Sequence, residues 1–346
     1  MILPQTYLGS LMLMIASLLC LGIWANSYKL GGTWRFELYY FDFAIGLGIA
    51  AIVFALTTGN LGFDGFSIMD DLDHAGKRNW MLAFVAGAIF NLANMLLLAS
   101  VSVAGLAVAF PIAMGFSLLE AILIAILSGN TSSPVNIAVG CALMLLAVVF
   151  AALSYSSLVN RRYLAARKEG KKVGHPGTLK GVLLAVVGGL LMGSFPPLLN
   201  QARAGDIGVG PYSMMLLFAI GVGVSTFIYN MFFLNLPVAG EPLELRDFFV
   251  QPKLHLLGLV GGILWCIGAL SNFVQQTAQP EVQVSAGTGL WLSHADALIA
   301  ALCGLLIWRE FRGSGAREKV MAAVAILCFA GGLALFSMAI QAPRPA

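Results

Sequence analysis

Apolar residues run in ten blocks of bilayer length along this chain, and polar residues collect in the short gaps between them. A hydrocarbon core needs about 20 consecutive apolar residues in a helix. The blocks reach that length at Tyr7–Ala25, Leu38–Thr57, Trp80–Ala99, Ser102–Leu127, Val135–Leu153, Leu179–Leu199, Tyr212–Leu234, Leu254–Val274, Val284–Trp308 and Val320–Ile340. The pattern predicts an all-α membrane protein of ten transmembrane helices. Only the gap between the third and fourth spans is too short for anything but a tight hairpin.

A polar connector over Asn160–Lys180 carries Arg161, Arg162, Arg167, Lys168, Lys171, Lys172 and Lys180, and divides the spans five and five. An odd number per half inserts the halves in opposite senses, the plan of an inverted repeat. Short matches agree with that plan. Val85–Phe90 reads VAGAIF and Val260–Trp265 reads VGGILW, each early in the third span of its half. Gly22-Ile23-Trp24 corresponds in position to Gly193-Ser194-Phe195. The expected organisation is a first five-helix repeat over residues 1–157, a basic cytoplasmic linker over 158–178, a second repeat over 179–340 and a tail over 341–346.

Composition narrows the class. The chain of 346 residues is 59% apolar and 10% charged, with a mean hydropathy of +0.89, where soluble domains carry about a quarter charged residues. Fifteen of the 19 Lys and Arg fall in loops after odd-numbered spans, Lys29 to Lys319, and only Lys77, Arg78, Arg203 and Arg344 lie on the other side. The positive-inside rule then puts the central loop in the cytoplasm and both termini outside the plasma (inner) membrane. The basic loop reads as a topogenic signal. Basic residues without interleaved aromatics give no support for nucleic-acid binding.

Met1–Gln5 has no basic stretch and its apolar run continues into a full span, which reads as a retained first helix and not a cleaved signal. Cys20, Cys141, Cys266, Cys303 and Cys328 are scattered one per span without a CxxC pair, as small packing residues are. Neither HExxH, GxSxG nor a run of carboxylates at metal spacing occurs. The glycine-rich run Gly170–Gly177 lacks the GK[ST] ending of a phosphate-binding loop and reads as a solvated linker. Neither metal nor cofactor is expected.

Chemistry is therefore sought among ionisable groups inside the spans, where a carboxylate costs about 2.5–3.5 kcal/mol near mid-helix and marks function by default. Three carboxylates qualify: Asp42, Glu120 and Asp296. Asp296 shares the middle of the ninth span with His294, two positions away and so about 200° around an unbroken helix. Glu120 sits past the middle of the fourth span, the counterpart of the ninth, so symmetry would bring it toward Asp296. Desolvation suits such a carboxylate to take up and release a proton, which makes Asp296 and Glu120 candidates for proton coupling. An interhelical hydrogen bond is the alternative. Asp42, nearer a span end, is a weaker candidate that snorkelling or capping explains as easily.

Uncharged polar groups also lie within spans: Asn91 and Asn94 in the third, Tyr229 and Asn230 in the seventh, and Asn272, Gln275 and Gln276 at the end of the eighth. Amides donate and accept, which suits a small neutral solute with C=O and N–H groups, or a polyol. Each taken singly reads as interhelical glue, worth about 0.6 kcal/mol. Trp24, Phe195, Trp265 and Trp291 could stack on a ring, whereas Trp80 reads as an interface anchor. Pro111, Pro196 and Pro197 interrupt helical hydrogen bonding, which is tolerated at membrane depth beside a cavity.

Several runs resemble the drug/metabolite transporter superfamily and, within it, the plant ureide permeases. They are Ser17–Trp24, Tyr40–Phe43, Ala55–Gly62, Val139–Cys141, Leu234–Val238 with Gly240, and Trp308–Arg312, in an order that covers nearly the full length. The resemblance implies ten helices in two inverted halves, with uptake of oxo-heterocycles such as allantoin and uracil together with protons. Trp24 and Asp42 are the positions that match the family. Sugar porters of the same superfamily compete for the assignment.

The expectation is thus a secondary transporter for a small polar solute, ureide- or nucleobase-like, working by alternating access. A sugar porter is the alternative, and an intramembrane lipid-modifying enzyme is the reading from another class. Candidate substrate contacts are Trp24, Asn91, Asn94, Tyr229, Asn272, Gln276, Trp291 and His294; the expected partners are the solute, protons and membrane lipid.

Overall fold

The computed structural model describes residues 1–32, 34–61, 66–170 and 178–341. In chain order the helices are α1 Tyr7–Ile23, α2 Ala25–Leu30, α3 Phe36–Leu56, α4 Ile68–His74, α5 Lys77–Ala104, α6 Leu106–Leu127 and α7 Pro134–Lys168. They continue with α8 Thr178–Ala202, α9 Pro211–Asn235, α10 Pro252–Thr277, α11 Ala286–His294, α12 Asp296–Leu302 and α13 Ala316–Ala339. A 3-10 turn covers Leu245–Val250 and a π segment Cys303–Ile307. Among the described residues no strand forms, and Thr131 and Ile340 make one isolated bridge. Ten helical stretches are long and apolar enough to cross a membrane, so the chain is an all-α, multi-pass membrane protein.

Four differences from the sequence reading have a plain physical basis. The first span runs on to Leu30 because α2 continues from Trp24 after a local break. The hairpin between the third and fourth spans is a single residue, Gly105, at φ +85, a backbone region open to glycine. The fifth span does not stop at Leu153: α7 has 35 residues, about 52 Å at 1.5 Å per residue, well past a core of about 30 Å. Good helix formers carry it on, and Arg167 and Lys168 in its last turn oppose the helix dipole. The basic connector is thus helical as far as Lys168, and residues 171–177 of the expected linker lie outside the described ones. The ninth span is not one helix but α11, α12 and the π segment in series.

The chain gathers into two compact units, each drawn from both halves of the sequence. One comprises Met1–Met95 with Ser194–Ser285. There α3 packs on α10 and α9, and α1 packs on α10. Its helices approach closely through small residues, the device that lets helices associate in lipid. A Cβ on Gly87 would strike the Phe218 backbone, and one on Gly221 would strike the Phe84 backbone, a reciprocal contact between α5 and α9. Asp71 of α4 is buried and accepts from the Gly210 amide through both carboxylate oxygens, 3.2 and 3.0 Å, just before α9 begins. Burial raises its pKa above the ordinary carboxylate value.

The other unit comprises Leu96–Gly193 with Ala286–Ala346. Here α13 lies along α7, and α6 packs on α7 and α12. The first amides of α6, which have no intrahelical acceptor, are met by a distant carboxylate. Glu310 accepts from Leu106 N and Ala107 N at 2.9 Å each, while Arg162 donates to the Glu310 carbonyl oxygen at 2.8 Å. That gives Glu310, part of the Trp308–Arg312 run, a capping role.

Candidate functional site

In the first unit, Asp42 occupies the second turn of α3 and is buried; its side chain is 6% exposed. It is not snorkelling. Its Oδ2 lies 2.8 Å from Nδ1 of His255, in the first turn of α10, where the carboxylate accepts the imidazole N–H. The two helices bring the pair together because α10 presents Gly258 at this level, where any Cβ would collide with Asp42. Aromatic rings enclose the imidazole: Trp34 edge-on with centroids 5.3 Å apart, and Phe248 at 4.3 Å. Phe41 packs in turn on Phe248 at 5.7 Å. His255 is a residue the sequence reading missed. One signal could have found it: Asp42 and His255 both lie within two turns of span ends that follow Lys- and Arg-bearing loops.

A further buried acid lies one and a half turns away. Glu37, 1% exposed at the side chain, takes Arg35 Nη2 at 2.7 Å and Nε at 3.3 Å. Asn230 Nδ2 donates to the Glu37 carbonyl oxygen at 2.6 Å. A span drawn from Leu38 had left this acid outside the membrane count.

The amides separate into two kinds. Asn91 is saturated: Nδ2 donates to Val222 O at 3.2 Å and to Ser225 Oγ at 2.8 Å, and Oδ1 accepts from Thr226 Oγ1 at 3.2 Å. It ties α5 to α9. Asn94 is half satisfied. Tyr40 spends its one proton on the Asn91 carbonyl oxygen, 3.3 Å, so its oxygen accepts from Asn94 Nδ2 at 3.2 Å. Asn94 Oδ1 is buried and has no partner among the described residues. Asn272 accepts from Gln276 Nε2, and the exposed Gln276 accepts from Arg203 Nη1. Tyr229 is partly buried on α9.

Two of the four expected stacking rings come together. Trp265 lies against Phe90 at 4.1 Å and parallel to Phe218, 5.6 Å and 6° apart, and Phe195 joins at 5.5 Å from Phe90. Trp24 belongs to the same unit but lies elsewhere in sequence order, at the junction of α1 and α2. It is buried at the α1–α2 break and packs on Phe43 at 5.1 Å. Trp291, 39% exposed, joins no ring among the described residues.

In the second unit, His294 ends α11 and Asp296 begins α12. The expectation of an unbroken helix with the two 200° apart is therefore corrected: the helix stops between them at Ala295. Asp296 is buried, and its Oδ1 accepts from the Ala297 amide at 2.8 Å. A carboxylate at the start of a helical segment meets amides that otherwise lack acceptors. His294 Nδ1 donates to Leu290 O at 3.1 Å. Glu120 of α6 is partly buried and makes no hydrogen bond or ion pair among the described residues. Its carboxylate rests against Gly193 of α8, where a Cβ would lie 2.5 Å from Oε2. Pro111 lies within α6, and Pro196 and Pro197 within α8.

No group of His, Cys, Asp and Glu that could hold a metal ion forms among the described residues.

Among curated proteins none matches the chain. One protein of known crystal structure is similar over 95% of this chain and 96% of its own, at 16% identity and a TM-score of 0.54, a likeness of fold alone. A family model described as sugar transport protein matches residues 42–339, from the paired aspartate of α3 to the end of α13. With ten membrane-spanning helices beneath a match of that extent, the chain belongs to the sugar transport protein family and is a membrane transporter.

Proposed function

We propose that this protein is a secondary active transporter for a small neutral polyhydroxylated solute of monosaccharide size, moved by alternating access between inverted five-helix repeats and coupled to protons through an in-span carboxylate. The observation that carries this reading is the family match over residues 42–339, which takes in eight of the ten spans whole and most of the second. Sugars are rich in hydroxyl groups that both donate and accept, and Asn94 offers a buried acceptor that lacks a donor. The broken ninth span with an acid at its break has the form of a discontinuous transporter helix. The distribution of Lys and Arg supports a plasma-membrane orientation with the central loop cytoplasmic.

A second reading, an oxo-heterocycle such as uracil or allantoin, is supported by the stacked rings of Phe90, Phe218 and Trp265 and by the ureide-permease-like runs around Trp24 and Asp42. Uptake into proteoliposomes separates the two. Labelled D-glucose and D-ribose are expected to enter protein-containing vesicles faster than empty ones, with uracil and allantoin at background. Uptake of uracil alone would replace the first reading by the second, and uptake of none of the four would count against both.

A further inference from the structure

We propose that Asp42 and His255 together form the site that carries the coupling proton, exchanged at Nε2 of the imidazole. This rests on the transporter reading above and names which in-span acid does the coupling.

Depth is the first argument. Asp42 lies six residues into α3, about 9 Å along the axis at 1.5 Å per residue, where an unpaired carboxylate is costly. Its partner is an imidazole, a side chain that can hold a proton on either ring nitrogen or on both. Exposure is the second. The carboxylate is 6% exposed and the imidazole 20%; Nδ1 is committed to Asp42, which leaves Nε2 as the position open to exchange. Charge is the third argument. With a neutral imidazole donating Nδ1–H to the carboxylate, the pair carries one negative charge. A proton arriving at Nε2 from water makes imidazolium and carboxylate, net zero; its loss from Nε2 to water restores the negative charge, and no other bond changes. Enclosure by Trp34, Phe248 and Phe41 makes occluding the net-negative form expensive and the neutral pair cheap. The proton thereby decides which form can be closed off from water.

Other titratable groups near the pair are already engaged or lie outward. On α3, Glu37 is held by Arg35, and Tyr39 is 2.7 Å from Ser27 Oγ with Tyr28 of α2 edge-on to it. Lys29 of α2 is partly exposed, Lys253 of α10 is exposed, and Asp247 of the 3-10 turn accepts from the Glu244 amide beside exposed Arg246. Neither α1 nor α9, which pack on the same helices, brings a carboxylate, lysine, arginine or histidine.

The test uses the full chain in proteoliposomes and two readouts. Imidazolium formation quenches an adjacent indole, so tryptophan fluorescence is titrated between about pH 5 and 8 in the wild type and in Trp34→Phe, His255→Gln and Asp42→Asn. A one-proton quench lost in Trp34→Phe and His255→Gln, and altered in Asp42→Asn, is expected; no quench in the wild type overturns the proposal. Solute movement is measured with labelled D-glucose, D-ribose and uracil as accumulation driven by one unit of inward-acid pH gradient, divided by equilibrium exchange. One pH unit is worth about tenfold, and His255→Gln and Asp42→Asn are expected to bring that ratio down about tenfold. A ratio equal to wild type overturns the proposal. Absence of exchange of all three solutes in the wild type sinks the transporter reading instead, and the fluorescence titration then decides the proton site alone.

Discussion

Asp42 and Glu120 pose the same problem in the two compact units and meet it differently. Each is a carboxylate within an apolar helix. The first is buried and takes a histidine from another helix at 2.8 Å; the second is partly buried, has no partner among the described residues, and occupies room left by Gly193. A pair locks two helices and concentrates charge chemistry at one point, whereas a carboxylate beside a glycine depends only on space. Position within a span therefore does not tell what an acid does; its neighbours do.

The largest expected effect tests the pair. His255→Ala leaves a buried carboxylate without its partner, at about 3–5 kcal/mol, while Glu120→Gln removes no hydrogen bond and is expected to stay within about 0.5 kcal/mol. Thermal unfolding of both variants in one detergent checks this, and equal shifts would erase the distinction. Combining Asp42→Asn with His255→Ala recovers most of the loss, because no buried charge remains.

Next in size is the glycine. Gly193→Ala places a Cβ 2.5 Å from Glu120 Oε2, an overpacking of about 1–3 kcal/mol. Adding Glu120→Ala is expected to relieve it, and a double-mutant cycle measures the coupling. A cycle that closes at zero would mean that Glu120 swings away freely. Glu310→Ala, which strips two acceptors from the start of α6, is expected to lower stability by about 0.5–2 kcal/mol, with Glu310→Gln intermediate in the same melt. Asp296→Asn has the smallest expected effect on stability, about 0.5 kcal/mol or less, since an amide oxygen can take the Ala297 N–H in place of the carboxylate. A large drop for Asp296→Asn would show that its charge, not its cap, matters to folding.

The spans were easy to read because lipid enforces about 20 apolar residues per crossing, and Asp42, Glu120 and Asp296 stood out against that background. Partnership was not legible. His255 lies at a span edge two residues from Lys253, where a polar side chain needs no explanation. Glu37 vanished behind a boundary drawn one residue late. The break at Ala295 has neither glycine nor proline to announce it in Ser293-His294-Ala295-Asp296, so an unbroken helix was the natural expectation. Asn91 and Asn94 look alike in a string of letters and differ only in what α3 and α9 offer them.

From composition and order alone came the ten crossings and the bias of basic loops, because those quantities answer to the solvent. Which acid is paired, which is capped and which is left alone was decided by helix packing, because a hydrogen bond of 2.8 Å across 213 positions of chain exists only once α3 and α10 have closed on each other.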